Sequence, residues 1–350
     1  MFNKCLSKAV FCIKTNPKPM KTEILKRIRK SLLELESITK VELSEKLGIS
    51  FPTISKFLSQ MEEDGELISV GFDRSSGGRR AKRYAYNPEF KLGLAIFLER
   101  SETYYHVFNG FGEIKEAGKA QSVLTDDKLE IFTRMVEELI GKYPKISSLA
   151  IGVPGSVDHG RIIYIPGYEY LQGFHLKEYL EERFSIPVVI ENDMNAAVLG
   201  YQERKTIEKN HSIIYLYFGQ NGPGAGILVN GTVVRGKSNF SGEVSFVPQY
   251  DDCNFGQSLE NAKWTEKMMD RKIDAIARLV ASFVAIMNPY AIIFCDDEVD
   301  HLVKEQILKR SSAYIPAEHL PTIIMSNLKE DYLFGLQYLG FELMINELSR

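Results

Sequence analysis

Near the start of the chain, Ile24, Leu25, Ile28, Leu32, Leu33 and Leu35 fall at i, i+3/i+4 intervals and predict an amphipathic helix over 21–35. Thr39 offers an N-cap, and Glu42 the matching capping-box residue, for a short helix over 40–46 that Gly48 ends. After a turn of Leu47, Gly48, Ile49 and Ser50, Ser50 is placed to cap a further helix. That helix has Pro52 in its first turn and Ile54, Phe57, Leu58 and Met61 on its apolar side. Two short strands, 67–70 and 84–86, then flank a segment whose tip is Ser75, Ser76, Gly77 and Gly78. Beyond Asn87 and Pro88, strand patterns over 92–98, 104–108, 148–153, 187–191, 212–218 and 291–295 alternate with helical patterns over 126–142, 176–184 and 273–287. Such alternation predicts an α/β body with mostly parallel strands.

Two helices joined by a four-residue turn containing Gly read as a helix-turn-helix. Residues near the start of its second helix then face base edges in the major groove. Here these are Ser50, Phe51, Thr53, Ser55 and Lys56. A helical hairpin packed only for stability has the same pattern, but the strand pair behind it makes a winged helix and favours a DNA reader. The wing carries Arg74, Arg79, Arg80, Lys82 and Arg83 beside paired glycines, and an Arg pair at a wing tip suits a narrow minor groove.

Charge sharpens this division. The chain carries 43 Lys/Arg and 46 Asp/Glu, a net −3. Residues 1–91 hold 18 basic against 11 acidic residues, +7, and the remainder 25 against 35, −10. A basic head on an acidic body implies a polyanion for the head, although a solvated basic face has the same count. A length of 350 residues with 44% hydrophobic and 25% charged residues suits two or three domains and excludes a disordered or disulfide-stapled chain. The units expected are a basic flexible arm over 1–20, the winged helix over 21–88 and the body over 89–350. No apolar run approaches the roughly 18–20 residues of a membrane span, so a cytoplasmic protein with no membrane partner is expected. Cys5, Cys12, Cys253 and Cys295 form no C-x-x-C pair and read as reduced thiols.

The motifs add a family. Residues 48–55, the run Ser76, Gly77, Gly78, Arg79, Arg80, and the run Tyr86, Asn87, Pro88 look like the winged helix of ROK repressors. In the body, residues 151–158, 190–197 and 222–231 follow family motifs in order. The chain thus resembles the ROK family of repressors, open reading frames and sugar kinases. That resemblance implies an α/β fold class: an N-terminal winged helix-turn-helix plus a two-lobed, actin-like ATPase (sugar kinase-like) body. It places Gly155, Asn192, Asp193, Glu243 and Glu260 at sugar-contacting positions. Asp193 stands where a kinase would have its general base, and a binding protein would use the same carboxylate to accept a sugar hydroxyl.

The sequence departs from the family on the nucleotide side. Where ROK kinases open with Asp-x-Gly-x-Thr, this chain has Ala95, Ile96, Phe97, Leu98 and Glu99, and Asp296 and Asp297 replace an expected Gly-Gly turn. Phe97 would fill phosphate space and Glu99 would repel the phosphates. The four zinc-ligand positions are occupied by Phe246, Asp251, Cys253 and Ser258, so one thiol remains and no metal is expected. Nor is any cofactor expected. The reading that follows is a DNA-binding regulator, a repressor in the first instance, of carbohydrate genes. Its partners would be double-stranded operator DNA and a small carbohydrate effector, and it would act as a homodimer or dimer of dimers with no kinase activity. The alternatives are an active ATP-dependent sugar kinase that uses Asp193, and a body that only dimerises the heads.

Overall fold

The computed structural model describes residues 17–73, 80–99, 102–122, 129–165, 171–205, 207–208, 210–219, 222–260 and 266–346. The head consists of α1 (Pro17–Glu34), β1 (Ile38–Thr39), α2 (Lys40–Leu47), α3 (Phe51–Glu63), β2 (Leu67–Phe72) and β3 (Lys82–Tyr86). Thr39 and Glu42 form the predicted capping box on α2, and Gly48 closes that helix at φ 62°, where a side chain would be strained. Ser50 departs from expectation. Its hydroxyl shares a 2.8 Å hydrogen bond with the Thr53 hydroxyl and caps no backbone N–H of α3, whose first turn has one donor fewer because of Pro52. The buried faces of α1, α2 and α3 meet through Leu25, Ile28, Leu32, Leu43, Ile54 and Leu58. The strand β3 runs antiparallel between β1 and β2. Helix α1 begins at Pro17, inside the segment expected as an arm, and residues 1–16 lie outside the described residues.

In the body one topology is used twice. The first lobe runs β4 (Leu92–Leu98), β5 (Glu102–Asn109), β6 (Ile114–Gln121), α4 (Leu129–Lys142), β7 (Ile146–Val153), a hairpin of β8 (Ser156–Asp158) and β9 (Arg161–Tyr164), α5 (Leu176–Phe184), β10 (Val188–Asn192) and α6 (Asp193–Lys205). The second runs β11 (Ile213–Tyr217), β12 (Gly224–Val229), β13 (Thr232–Val233), a hairpin of β14 (Pro248–Tyr250) and β15 (Cys253–Asn254), α7 (Phe255–Glu260), α8 (Glu266–Met287), β16 (Ala291–Cys295), α9 (His301–Ser311), β17 (Thr322–Ser326) and α10 (Leu328–Asn346). The main sheets have the orders β10-β7-β4-β5-β6 and β13-β12-β11-β16-β17. In each, an antiparallel three-strand meander leads through a helix to parallel strands. The expectation of mostly parallel strands is therefore corrected: half of the pairings in each sheet are antiparallel, because the meander turns are too short for a crossover.

Each repeat ends in a helix, α6 or α10, and the two cross between the lobes. Their approach is set by two glycines. A Cβ on Gly200 would lie 1.9 Å from the Asp331 carbonyl oxygen, and one on Gly335 would lie 1.9 Å from that of Ala196. Between them α6 and α10 bury Ala196, Ala197, Val198, Tyr201, Tyr332 and Leu336 against both sheets. The far end of α10 leaves the body and enters the head. Ile345 lies in the head core, Glu342 pairs with Lys30 at 3.1 Å, and Arg29 donates to the Ile345 carbonyl at 3.1 Å. Among the described residues, no helix is long and apolar enough to cross a membrane.

Candidate functional site

In α/β sheets, ligands bind outside the carboxyl ends of parallel strands. Here the end of β7, the junction of β10 with α6, the end of β11 and the start of β12 surround a cavity of about 230 Å³. Gly155, Asn192, Asp193 and Glu243, four of the five expected sugar-site residues, line it. Glu260 is the last residue of α7, and its side chain lies outside the described residues.

The roles within this set differ. Asn192 is committed to the protein: its Oδ1 accepts from the Asn195 N–H at 2.9 Å, as an N-cap of α6 does. Its Nδ2 donates to the Gly155 carbonyl and to Asp193 Oδ1, each at 3.0 Å. Both amide hydrogens are thereby used, so Asn192 holds Asp193 in position and does not offer a free amide to a ligand. Gly155 has no room for a side chain, since a Cβ there would meet the Tyr164 carbonyl oxygen at 2.1 Å. Glu243 accepts from the Ser156 hydroxyl at 2.9 Å. Burial raises the Glu243 pKa. Asp193 is pushed up to about 7 by burial, with the charges of Glu243 and Glu99 adding to it, although the Met194 N–H donates to its carboxylate. The site is thus a pocket of carboxylates with neighbouring hydroxyls and carbonyls, suited to accept from several hydroxyl groups at once.

The residues at the positions expected for the nucleotide side pack as an aromatic plug. Ala95 and Phe97 are buried in β4, and the Phe97 ring lies 4.0 Å from that of Tyr332 on α10 and 5.8 Å from that of Tyr104 on β5. Gly152 makes the space: a Cβ there would fall 1.9 Å from the Tyr332 hydroxyl. Beyond the end of β11, the Glu298 carboxylate accepts from the Phe218 N–H at 2.9 Å and is pushed up to about 7 by burial. Burial raises the pKa of Tyr217, in the cavity wall, above the ordinary range, and the charges of Glu298 and Glu99 add to this. Aromatic filling and carboxylates do not fit a polyphosphate. The glycine-rich segment has a packing role too, since a Cβ on Gly226 would strike the Met194 carbonyl oxygen at 2.0 Å.

The zinc positions do not fit a tetrahedral site either. The Ser258 hydroxyl donates to the Phe255 carbonyl at 2.6 Å, and Phe246 offers no donor. The hairpin that carries Cys253 is anchored by other means. Tyr250 donates to Asp274 at 2.9 Å and lies 5.0 Å from the guanidinium of Arg271 and 5.1 Å from that of Arg278. Burial alone would raise the Asp274 pKa, yet Arg278, Tyr314, Arg310 and Tyr250 together hold it well below the usual carboxylate range.

On the head, Ser50, Phe51 and Lys56 are exposed at the start of α3 and Thr53 is half-buried. Ser55 accepts from Lys40 at 3.0 Å. The wing residues separate into two groups. Lys82 pairs with Glu62, and Arg83 pairs with Asp73 at 2.6 Å and donates to Ser37, so their charge is already matched within the head. Arg80 is exposed, while Arg74 and Arg79 lie outside the described residues. Sequence reasoning missed Tyr164, Tyr217 and Ser245 in the cavity wall and Tyr332 in the plug. Ser156, beside Gly155 in a quoted motif, was within reach; Tyr332, in a helix apolar on every side, left no local signal.

Residues 102–258 match the model of the ROK family. The chain is 28% identical over 250 residues to the xylose repressor of Caldicellulosiruptor bescii, covering 67% of this chain and 62% of that one. It is 22% identical over 230 residues to the N-acetylglucosamine repressor of Escherichia coli O157:H7, covering 63% and 56%. The matched region thus spans about three fifths of these relatives. Among solved structures, a ROK family transcriptional regulator described as a homologue of E. coli MLC superposes with a TM-score of 0.70 at 19% identity, covering 93% of this chain and 99% of the other. A ROK family glucokinase from Streptomyces griseus, solved with glucose and AMPPNP, matches the fold over 72% of this chain and 99% of its own, with a TM-score of 0.57 at 19% identity. In its motifs, its two-lobed fold and these relatives alike, the chain is similar to the ROK family.

Proposed function

We propose that the chain is a sequence-specific transcriptional regulator, a repressor of carbohydrate genes, whose body senses a sugar and does not phosphorylate it. The observations that carry this are a carboxylate-lined cavity at Asp193 and Glu243 and a contact between the Phe97 and Tyr332 rings at the position where the resemblance would put the phosphates. A helix-turn-helix with Phe51 and Lys56 exposed on α3, in a chain similar to sugar-named repressors, supports the DNA half of the reading. The partners are double-stranded operator DNA and a small carbohydrate. The protein acts in the cytoplasm as a homodimer matched to paired half-sites, and needs no metal or nucleotide. The coupling is differential affinity: sugar favours a closed body in which the two heads no longer match their half-sites. Helix α10 is the connection, since it packs on α6, which begins at Asp193, and ends in the head core at Ile345.

Selection of bound fragments from the source genome at near-physiological salt tests the reading. A shared inverted repeat is expected, with Lys56→Ala weakening binding across sequences and lowering the salt slope by about 1. Failure to recover any preferred sequence, with and without sugars, overturns it. One observation favours an active kinase instead: a carboxylate near pH 7, as at Asp193, suits a general base. ATP turnover with a hexose that disappears in Asp193→Asn would establish that alternative.

A further inference from the structure

Phe246 and Phe240 break the pattern of a polar site. Both are large apolar side chains left open to solvent, with exposures of 51% and 43%, and their rings contact each other with centroids 5.2 Å apart. Phe246 belongs to the cavity wall, three residues after Glu243, in a 3-10 turn whose backbone ties Phe246 N–H to the Glu243 carbonyl at 3.2 Å. The turn therefore fixes the backbone of Phe246 relative to that of Glu243, and the ring rests against Phe240. An exposed aromatic pair on the rim of a carboxylate pocket has unburied apolar area that a ligand with a matching apolar face would cover.

The charge of the wall narrows the ligand further. Asp193 and Glu243 are its ionisable acids, and no Lys, Arg or His is among the described residues that line it. The nearby Arg235 is paired with the buried Glu191. A phosphate, sulfate or carboxylate on the ligand would meet like charge with no cation to match it. Size points the same way, because about 230 Å³ is less than the roughly 300–1,000 Å³ of pockets for drug-sized ligands and suits one sugar ring.

Resting on the sugar-sensing reading above, we propose that the effector is a single unphosphorylated pyranose whose hydroxyl edge binds Asp193 and Glu243 while its C–H face stacks on Phe246, with Phe240 as brace. A pyranose is amphipathic in the required way: its hydroxyls project around the ring, and its axial hydrogens form a slightly positive face that the negative face of an aromatic ring attracts. An acyclic polyol lacks the rigid face, and a sugar phosphate adds the excluded charge. Phe246 is then the residue that determines which ring stereochemistry fits, since an axial hydroxyl on the stacked side would lift the sugar off the aromatic surface.

Calorimetric titration of the full chain with D-xylose, D-glucose, N-acetyl-D-glucosamine, D-glucitol and D-glucose 6-phosphate tests this. At least one free pyranose is expected to bind, with glucitol and the 6-phosphate weaker by about tenfold or more. Phe246→Ala and Phe246→Leu should each weaken that sugar by about tenfold, while Phe246→Tyr retains it, all three with an unchanged melting temperature because the ring is half in solvent. Retention of affinity by Phe246→Leu, or tighter binding of the 6-phosphate, overturns the proposal. So does an effect of Phe246→Ala confined to the sedimentation coefficient, which would make the pair a contact between copies. Sugar binding lost in Asp193→Asn but kept in Phe246→Ala overturns the stacking and leaves the sugar sensor standing. No binding by the wild-type chain, with or without operator DNA, overturns both.

Discussion

Asp193 shows how one residue type takes its character from its surroundings. At the start of α6 it receives the Met194 N–H and the positive end of a helix, both of which favour the charged form. Burial and the nearby carboxylates outweigh them and bring its pKa to about 7. The unfolded chain holds this proton less tightly than the native one, so the contribution of Asp193 to stability falls as pH rises from about 4 to about 7 and is least favourable above 7. Asp193→Asn keeps an oxygen for the Met194 N–H and removes the charge. Thermal melts should therefore show the variant more stable than wild type by up to about 4 kcal/mol at pH 8 and nearly equal to it near pH 4. A pH-independent difference would mean that the carboxylate is solvated. At this scale the motif around Asn192 and Asp193 was legible, but the division of labour was not. Asn192 reads in sequence as a sugar-binding amide, and only the capping geometry shows its hydrogen bonds to be used within the protein.

At the scale of elements, short-range rules served well wherever one face of an element meets water. The capping box at Thr39 and the Gly48 stop set α2 to within one residue, and the strands over 92–98 and 291–295 coincide with β4 and β16. Elements buried on every side escaped. Neither α6 nor α10 has a polar face whose spacing would announce a helix, because sheets and helices surround both. The edge strand β6 escaped for the opposite reason: Lys115, Glu116 and Lys119 leave it no apolar alternation. The crossing of α6 and α10 depends on Gly200 and Gly335. Gly335→Ala forces a methyl against the Ala196 carbonyl oxygen, and chemical denaturation should show a loss of about 2–3 kcal/mol. An alanine tolerated there at no cost would show that the helices slide apart freely.

For the whole molecule, the head and body are joined by more than a linker. Arg29 and Glu66 form a fully buried ion pair, Nε to Oε1 at 2.5 Å and Nη2 to Oε2 at 3.1 Å, and the same guanidinium reaches the Ile345 carbonyl of α10. Removal of one partner strands the other charge away from water. Arg29→Met should therefore cost about 3–5 kcal/mol, and Arg29→Met with Glu66→Leu should regain most of it. Equal losses in the single and double variants would show that the lost Ile345 contact, and not the stranded Glu66 charge, sets the cost. The proposed regulator, reading sugar in one domain and DNA in another, would need such a joint, since a flexible tether would transmit no preference from one to the other.

Local physics was sufficient for much of this protein. Cap and turn residues and apolar spacing determined the helix-turn-helix and the α/β body, because each depends on neighbours a few residues away, and the resemblance carried by the short motifs singled out Asp193 and Glu243. The resemblance also put Phe97 at a position held by a glycine in kinases of the family that the chain resembles. Tertiary structure decided the rest. It brought Tyr332 from the last helix to complete the plug, matched Lys82 and Arg83 with acids inside the head, and set Phe246 beside Glu243 on the cavity wall with Phe240 behind it. The plug joins residues distant in the chain, and the energies of all these contacts depend on burial and distance, quantities that exist only once the chain has packed.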